Sequence, residues 1–549
     1  MTGSFLFFYK KAYNECVQNY ITSVVCVSVK EAVEMENKFS FDYIIVGSGP
    51  AGAVLANRLS SDPARSVLLV EAGGNDDHDP LTISSASNMY AHFPEYFWPG
   101  QTAAQIHLGG NSINIGHGRT LGGGSTVNGE IYVRPTPFVL QQWVRAGGER
   151  WSSENAVRHF KKMESFLPQD ANMDIHGSDG ELAVRQVYPE IPALVQKLTQ
   201  AIARGTGFPA VLDYNDPHTP IGPFARYQLY QKEDGARASA SVSFLPDHVQ
   251  KRPNLTVMTD TTVSRISFDS HKKACGIEYI HDGISGRAEA GEKVILSAGI
   301  HSVQILELSG IGPEKLLHSL GIPVVYHNKG VGCHLATDAY TSATFRISRQ
   351  DRRALNHGDP NGKWQGDAFL PAPGDSGQRR AVQVLTGYMT EDSIHFGLLF
   401  VSPKSRGIME IQSKDPLKMM KIDHHFLEEP EDLQEIKETF RSYVLKTSEA
   451  LHKIDPAYGM LLPDEESIFD DNRLEAHIRS TFASSFHDQC SLIMGGEEDG
   501  GVVNGTGEVY GVKNLMVADA SIIPYHMDGN TSGPSYLIGS VLAEELMKY

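Results

Sequence analysis

An α/β protein built on a parallel sheet is the fold class this sequence predicts, and three observations predict it. Asp42-Tyr-Ile-Ile-Val46 is a near-continuous apolar, β-branched run of the kind found in strands covered on both faces. It enters Gly47-Ser-Gly49-Pro-Ala-Gly52 directly, and residues 53–59 then continue with helix-compatible spacing. Residues 66–70 read as a second parallel strand, which ends in Glu71. Strand, glycine turn, helix and strand together form one unit of an open, doubly wound sheet.

Each glycine of the turn has its own physical task. Gly47 permits the tight turn, Gly49 lets backbone approach a pyrophosphate, and Gly52 lets helix and strand pack closely. The helix N-terminus contributes amide donors and the positive end of its dipole. Glu71 stands where a carboxylate can accept hydrogen bonds from a ribose diol. Dinucleotide binding follows from the whole constellation, which leaves FAD and NAD both open.

Composition narrows the class. A chain of 549 residues exceeds what one hydrophobic core usually serves, so two lobes or an elaborated domain are expected. With 41% hydrophobic and 21% charged residues it sits among ordinary soluble globular proteins. Its 48 basic against 66 acidic side chains give a net charge of -18, which disfavours nucleic acid and anionic lipid as partners. Five scattered cysteines without C-x-x-C spacing suggest a reducing compartment and no structural zinc. Asp423-His-His425 has no third ligand at matching spacing, so no metal is expected. Residues 1–40 read as an N-terminal extension, with the natural start expected at Met35. Their apolar runs are too short to span a bilayer and poorly placed for a signal peptide, so the expected location is cytoplasmic, without an integral membrane segment.

From Arg119 the chain reads Arg-Thr-Leu-Gly-Gly-Gly-Ser-Thr-Val-Asn-Gly129, followed by Tyr132-Val-Arg134. This stretch resembles the first signature of the glucose-methanol-choline (GMC) oxidoreductases. The ending Ser309-Gly-Ile-Gly-Pro313 is similar to their second signature, although Val303 stands where the family usually has proline. Gly330-Val-Gly-Cys-His-Leu-Ala-Thr-Asp338 keeps only part of a further family pattern. The resemblance covers roughly residues 41–549 and implies FAD as the dinucleotide. It implies cofactor contacts from Arg119, Gly122, Gly123, Ser125 and Asn128, from the Val263 backbone at the adenine, and from Asp519 and Ala520 near the ribityl or phosphate region. Val127 matches the position where some members carry a histidine bonded covalently to flavin, so non-covalent FAD is expected.

Taking hydride from an alcohol carbon requires the hydroxyl proton to leave at about the same time, so a base must reach that oxygen. Among 22 histidines, His487 is selected by its context, since Met494 and Gly495 fall where the family's H-x-x-G-T-C-x-M-G places them. Gly529-Asn-Thr-Ser-Gly-Pro534 resembles the family site held by histidine or asparagine. It implies Asn530 as the second catalytic residue, an amide that donates to the substrate oxygen. His526 is the alternative for that second place.

The resulting expectation is α/β, with a Rossmann-type FAD-binding lobe built from residues 41–150, 225–330 and 485–549. Residues 151–224 and 331–484 form an α+β substrate lobe with an antiparallel sheet, as the resemblance implies. The expected activity is FAD-dependent oxidation of a small alcohol to an aldehyde or ketone, with electrons passed on to oxygen or another acceptor. Two alternatives stand beside it: hydroxynitrile lyase-like cleavage on the same fold, and a flavoprotein with decayed catalysis.

Overall fold

The structure is a computed structural model that describes residues 40–75, 94–168, 171–187, 190–351, 367–375, 377, 379–388 and 392–548. The N-terminal extension expected over residues 1–40, with its start at Met35, lies outside the described residues except for Ser40, as do Cys16 and Cys26.

In chain order the first elements are β1 (Ser40–Val46), α1 (Pro50–Leu59), β2 (Val67–Val70) and β3 (Gly222–Phe224). Next come β4 (Leu255–Met258), β5 (Thr261–Phe268), β6 (Ala274–His281), β7 (Ile284–Leu296) and α2 (His301–Leu308). The later strands that join the two main sheets are β8 (Ala339–Arg346), β9 (Asp367–Leu370), β10 (Val382–Tyr388), β11 (Ser393–Phe400), β12 (Gly459–Leu462), β13 (Ala483–Ser484) and β14 (Leu515–Val517). Helix α3 (Ser532–Met547) follows the last of them.

Among the described residues two seven-stranded sheets dominate. The first runs β4-β2-β1-β7-β6-β5, with β14 added beside β7. Its nucleus is parallel: β1 pairs with β2 and β7, β2 with β4, and β7 with β14. The apolar side chains Ile44, Ile45, Leu68, Leu69, Val294 and Ile295 are fully buried, as strands covered on both faces require. The second sheet, β12-β8-β11-β10-β9-β3 with β13 beside β8, is antiparallel throughout and packs Phe224, Phe345, Phe369 and Phe396 into its own core. An α/β lobe on a parallel sheet and a lobe on an antiparallel sheet are therefore both present, as the expected fold class has them. No helix among the described residues is long and apolar enough to cross a membrane.

The parallel strands position the site by where they stop. β1 ends before Gly47, β2 before Glu71, β7 before Ser297 and β14 two residues before Asp519, and all four of these residues border one cavity. Ligands of open parallel sheets bind outside the carboxyl ends of the strands, which is where this cavity opens.

Candidate active site

The turn after β1 shows why its glycines stand where they do. Gly47 has φ +96°, a region that L side chains rarely adopt. A Cβ on Gly52 would fall 2.0 Å from the Gly47 carbonyl oxygen, so only hydrogen fits where α1 meets the strand end. A Cβ on Gly49 would meet nothing within 4 Å, because that position borders open space. Glu71 is buried, its carboxylate accepting from the Ser48 amide (3.0 Å) and hydroxyl (2.6 Å) and from the Gly73 amide (3.0 Å). Burial pushes its carboxyl above the usual carboxylate range, against those three donors.

The cavity has a volume of about 510 Å³. Gly47, Gly49, Glu71, Gly123, Ser125, Asn128, Val263, Asp519 and Ala520, all singled out from the sequence, border it. His487 and Asn530 border the same cavity. Gly52, Gly122 and Arg119 are not among the bordering residues; Gly122 donates its amide to the Ser48 hydroxyl (3.1 Å), and the Arg119 guanidinium lies 5.0 Å over the Trp98 ring. Asp519 accepts from the Gly299 amide (2.9 Å), the Ser302 hydroxyl (2.6 Å) and the Ser521 amide (2.9 Å), which anchors the turn entering α2.

The cavity walls suit a dinucleotide. Gly124 and Gly299, like Gly49, are glycines at which a Cβ would meet nothing within 4 Å, and all three border the cavity. Ser297 Oγ and His301 Nε2 are buried, border it and have no hydrogen-bond partner among the described residues. His301 Nδ1 lies 2.8 Å from Gln304 Oε1, whose own amide donates to the Pro416 and Lys418 carbonyls, so Nδ1 carries the proton and Nε2 is an acceptor. Burial drives this ring down to about 4, which keeps it neutral. A ligand bearing hydroxyl or N–H donors is what such an acceptor requires.

The candidate catalytic residues are brought together by main chain. Ala336 and Gln489 pair as an antiparallel bridge, and β8 pairs with β13 through Ala339 and Ser484. The chain from Ser485 to Gln489 thus loops out opposite residues 336–339, with left-handed backbone at Phe486 (φ 62°) and Cys490 (φ 66°). The loop presents His487 to the cavity with its Nδ1 2.6 Å from Asp338 Oδ2. Asp338 accepts there, so Nδ1 carries the proton and Nε2 the lone pair. Asn530, on the turn before α3, directs its Nδ2 to His487 Nε2 at 3.1 Å, while its Oδ1 accepts from Gln383 Nε2 at 3.2 Å. Gln489 ties the two segments: its Oε1 accepts from the Met527 amide (2.8 Å) and its Nε2 donates to the His487 carbonyl (3.2 Å).

Next to His487 in the chain, buried Asp488 is held by His117 (2.8 Å) and His424 (2.7 Å). Burial opposes its ionisation, but the His424 and His117 rings hold its carboxyl well below the usual range. His526 is buried outside the cavity wall, against Asp338, and does not share the place of Asn530. Sequence reasoning assigned no role to Asp338, Gln383, His117 or His301. The only signal was that Asp338 closes the degraded Gly330-Val-Gly pattern; Gln383 lies in a stretch without a readable motif.

The family model described as GMC oxidoreductase matches residues 41–338, and a second model of the same description matches residues 403–539. The chain belongs to the GMC oxidoreductase family. It is 32% identical to an oxygen-dependent choline dehydrogenase of Ectopseudomonas mendocina, over 92% of this chain and 94% of that one. It is 31% identical to the oxygen-dependent choline dehydrogenase of Burkholderia thailandensis, with the same two coverages. Among solved structures it is similar to pyridoxine 4-oxidase from Mesorbium loti, with a TM-score of 0.82 and 24% identity over 93% of this chain and 99% of that one. A formate oxidase variant of Aspergillus oryzae RIB40 gives a TM-score of 0.83 at 22% identity over 93% and 98%. This GMC oxidoreductase is thus an FAD-dependent enzyme acting on alcohol-like substrates, with oxygen or another acceptor taking the electrons.

Proposed function

We propose that this GMC oxidoreductase oxidises the CH–OH group of a small alcohol to an aldehyde or ketone, with His487 as the base and FAD held without a covalent bond. The observation that carries this reading is the row Gln383, Asn530, His487 and Asp338, which sets an acceptor, His487 Nε2, and an amide donor, Asn530 Nδ2, side by side on the cavity wall, where one substrate hydroxyl can meet both. FAD, when bound, supplies the hydride acceptor. Gly47, Gly49, Gly123, Ser125, Asn128 and Ala520 would lie against it, with Glu71 at its ribose and Val263 at its adenine.

The side chains of the row divide the work on the hydroxyl group. Nε2 accepts the hydroxyl proton, for which the imidazole is suited near neutral pH. Asn530 Nδ2 donates to the same oxygen as negative charge develops there, and Gln383 holds the amide so that its N–H side faces the reaction. Phe486 borders the cavity beside His487. Val127, buried on the cavity wall, offers no nucleophile to the cofactor, which supports dissociable FAD.

The test is anaerobic mixing of the purified holoenzyme with primary aromatic, furanic, aliphatic, polyol and choline-like alcohols while the flavin absorbance is followed. Bleaching by at least one class is expected. Bleaching by none, with aldehyde and cyanide released from a cyanohydrin, overturns the reading in favour of lyase chemistry.

A further inference from the structure

We infer that Asp338 is the positioning residue that makes His487 a base at Nε2 and stabilises the charge the ring gains, an inference that rests on the reading of His487 proposed above. Asp338 is fully buried, and its Oδ2 lies 2.6 Å from His487 Nδ1. Its other oxygen has no hydrogen bond and faces His526 Nε2 at 3.3 Å. His526 Nδ1 lies 2.6 Å from the Met527 carbonyl oxygen and 3.0 Å from that of Val401, two acceptors, so the proton of this ring is on Nδ1. Burial keeps the ring neutral, driving it down to about 4. A nitrogen lone pair therefore faces a carboxylate lone pair, and the N–H of His487 is the hydrogen bond that serves the Asp338 carboxylate.

A buried carboxylate served in this way is costly until a cation forms beside it. Proton transfer from substrate forms that cation: the hydroxyl O–H breaks, an Nε2–H forms, Nδ1 keeps its proton, and a neutral ring beside a carboxylate becomes an imidazolium–carboxylate pair. Asp338 stabilises the site more after the transfer than before it, which is the condition for a faster chemical step rather than tighter binding. The other charged or titratable groups on the neighbouring segments are Arg406, whose charge acts on His526 and Cys490, and Asp488, which follows His487 in the chain and pairs with His117 and His424. None of these is altered by a change at Asp338, which isolates its contribution.

Asp338→Asn separates charge from position. The amide carbonyl still accepts from His487 Nδ1, and the amide N–H can donate to His526 Nε2, so the packing survives and only the charge is lost. The experiment is mapping, by peptide mass spectrometry, the pH dependence of His487 acylation by diethylpyrocarbonate, which attacks the unprotonated imidazole nitrogen. The holoenzyme is compared with Asp338→Asn and with His526→Gln, which keeps Asp338 and offers its free oxygen a donor. The midpoint is expected to fall by about one pH unit or more in Asp338→Asn, because an adjacent anion favours the charged ring. It is expected to fall by less in His526→Gln. A midpoint unchanged in both overturns the inference; should Asp338→Asn lose its FAD, the His526→Gln arm decides alone. An unchanged midpoint together with a His487→Ala enzyme that no longer reduces its flavin removes Asp338 and leaves the base in place. A shifted midpoint with normal reduction by His487→Ala overturns the proposed function instead.

Discussion

At the residue scale, the roles proposed for His487 and Asn530 rest on what stands behind them. Asn530 Nδ2 faces His487 Nε2 because Gln383 occupies the amide oxygen, so the site has one donor and one acceptor rather than two interchangeable groups. Asn530→Ala is expected to slow anaerobic flavin reduction by about 10²-fold, the scale of losing one donor to a developing oxyanion. Gln383→Leu, which frees the amide to flip, is expected to slow it less and to leave FAD content unchanged; equal rates in wild type and both variants would dissociate the row from the reaction. Acid precipitation is expected to release all flavin into the supernatant, as measured by its absorbance, because Val127 carries no group that bonds to it. That His487 and Asn530 belong to this cavity was legible in sequence because short motifs surround each of them. Asp338 and Gln383 were not: Asp338 is 149 positions from the ring it serves, and antiparallel pairing alone brings them together. Gln383 sits in a strand among Val382, Val384 and Leu385, where nothing local marks one polar side chain as turned toward the site.

At the element scale, the parallel strand ends border the candidate cofactor cavity, and α2, which starts on its wall at His301, is tied through Glu307 to Ile411 of the same core. Gly52→Ala places a methyl group 2.0 Å from the Gly47 carbonyl oxygen, so it is expected to abolish FAD retention on gel filtration and to lower the melting temperature by several degrees. Glu307 on α2 accepts from the Ile411 amide at 2.8 Å, and burial pushes its carboxyl up to about 8 from an ordinary 4.5. The folded protein therefore holds this proton at pH values where the unfolded chain has lost it. Stability from this group is fully present below about 4.5 and is lost progressively as pH rises toward about 8. Glu307→Gln removes that loss, so its melting temperature relative to wild type should rise between these two pH values; a constant difference would contradict the assignment. The turn, helix and strand around Gly47 were legible because glycine and β-branched residues act on their own backbone. The left-handed turn at Phe486 was not, since an aromatic residue gives no local sign of positive φ.

At the scale of the whole molecule, two sheets of different character supply the two halves of the chemistry. The parallel sheet opens the cavity at its strand ends, and the antiparallel sheet contributes Gln383 from β10 and leads into β8 through Asp338. β1 and α3, near opposite ends of the described chain, border the same cavity, so the Gly47 turn and Asn530 meet only in the folded molecule. A parallel sheet was legible from the opening 31 residues after Ser40, because alternating glycine, helix and strand signals are local there. The antiparallel lobe was reached through resemblance, as its strands read as unremarkable apolar runs. The acidic net charge of -18 gives long-range attraction to cations, so the choline-like members of the alcohol panel are expected to show reduction rates that fall with added salt, while neutral alcohols do not.

The proposed chemistry turns on the proton acceptor. Single-turnover flavin reduction by the fastest alcohol of the panel, under anaerobic conditions, in wild type and His487→Ala, tests it most directly. With FAD content and melting temperature retained, the variant is expected to reduce its flavin ~10²-fold more slowly or worse. Reduction at the wild-type rate would contradict His487 as the base, because the alcohol would then lose its proton without the imidazole that stands beside the Asn530 amide.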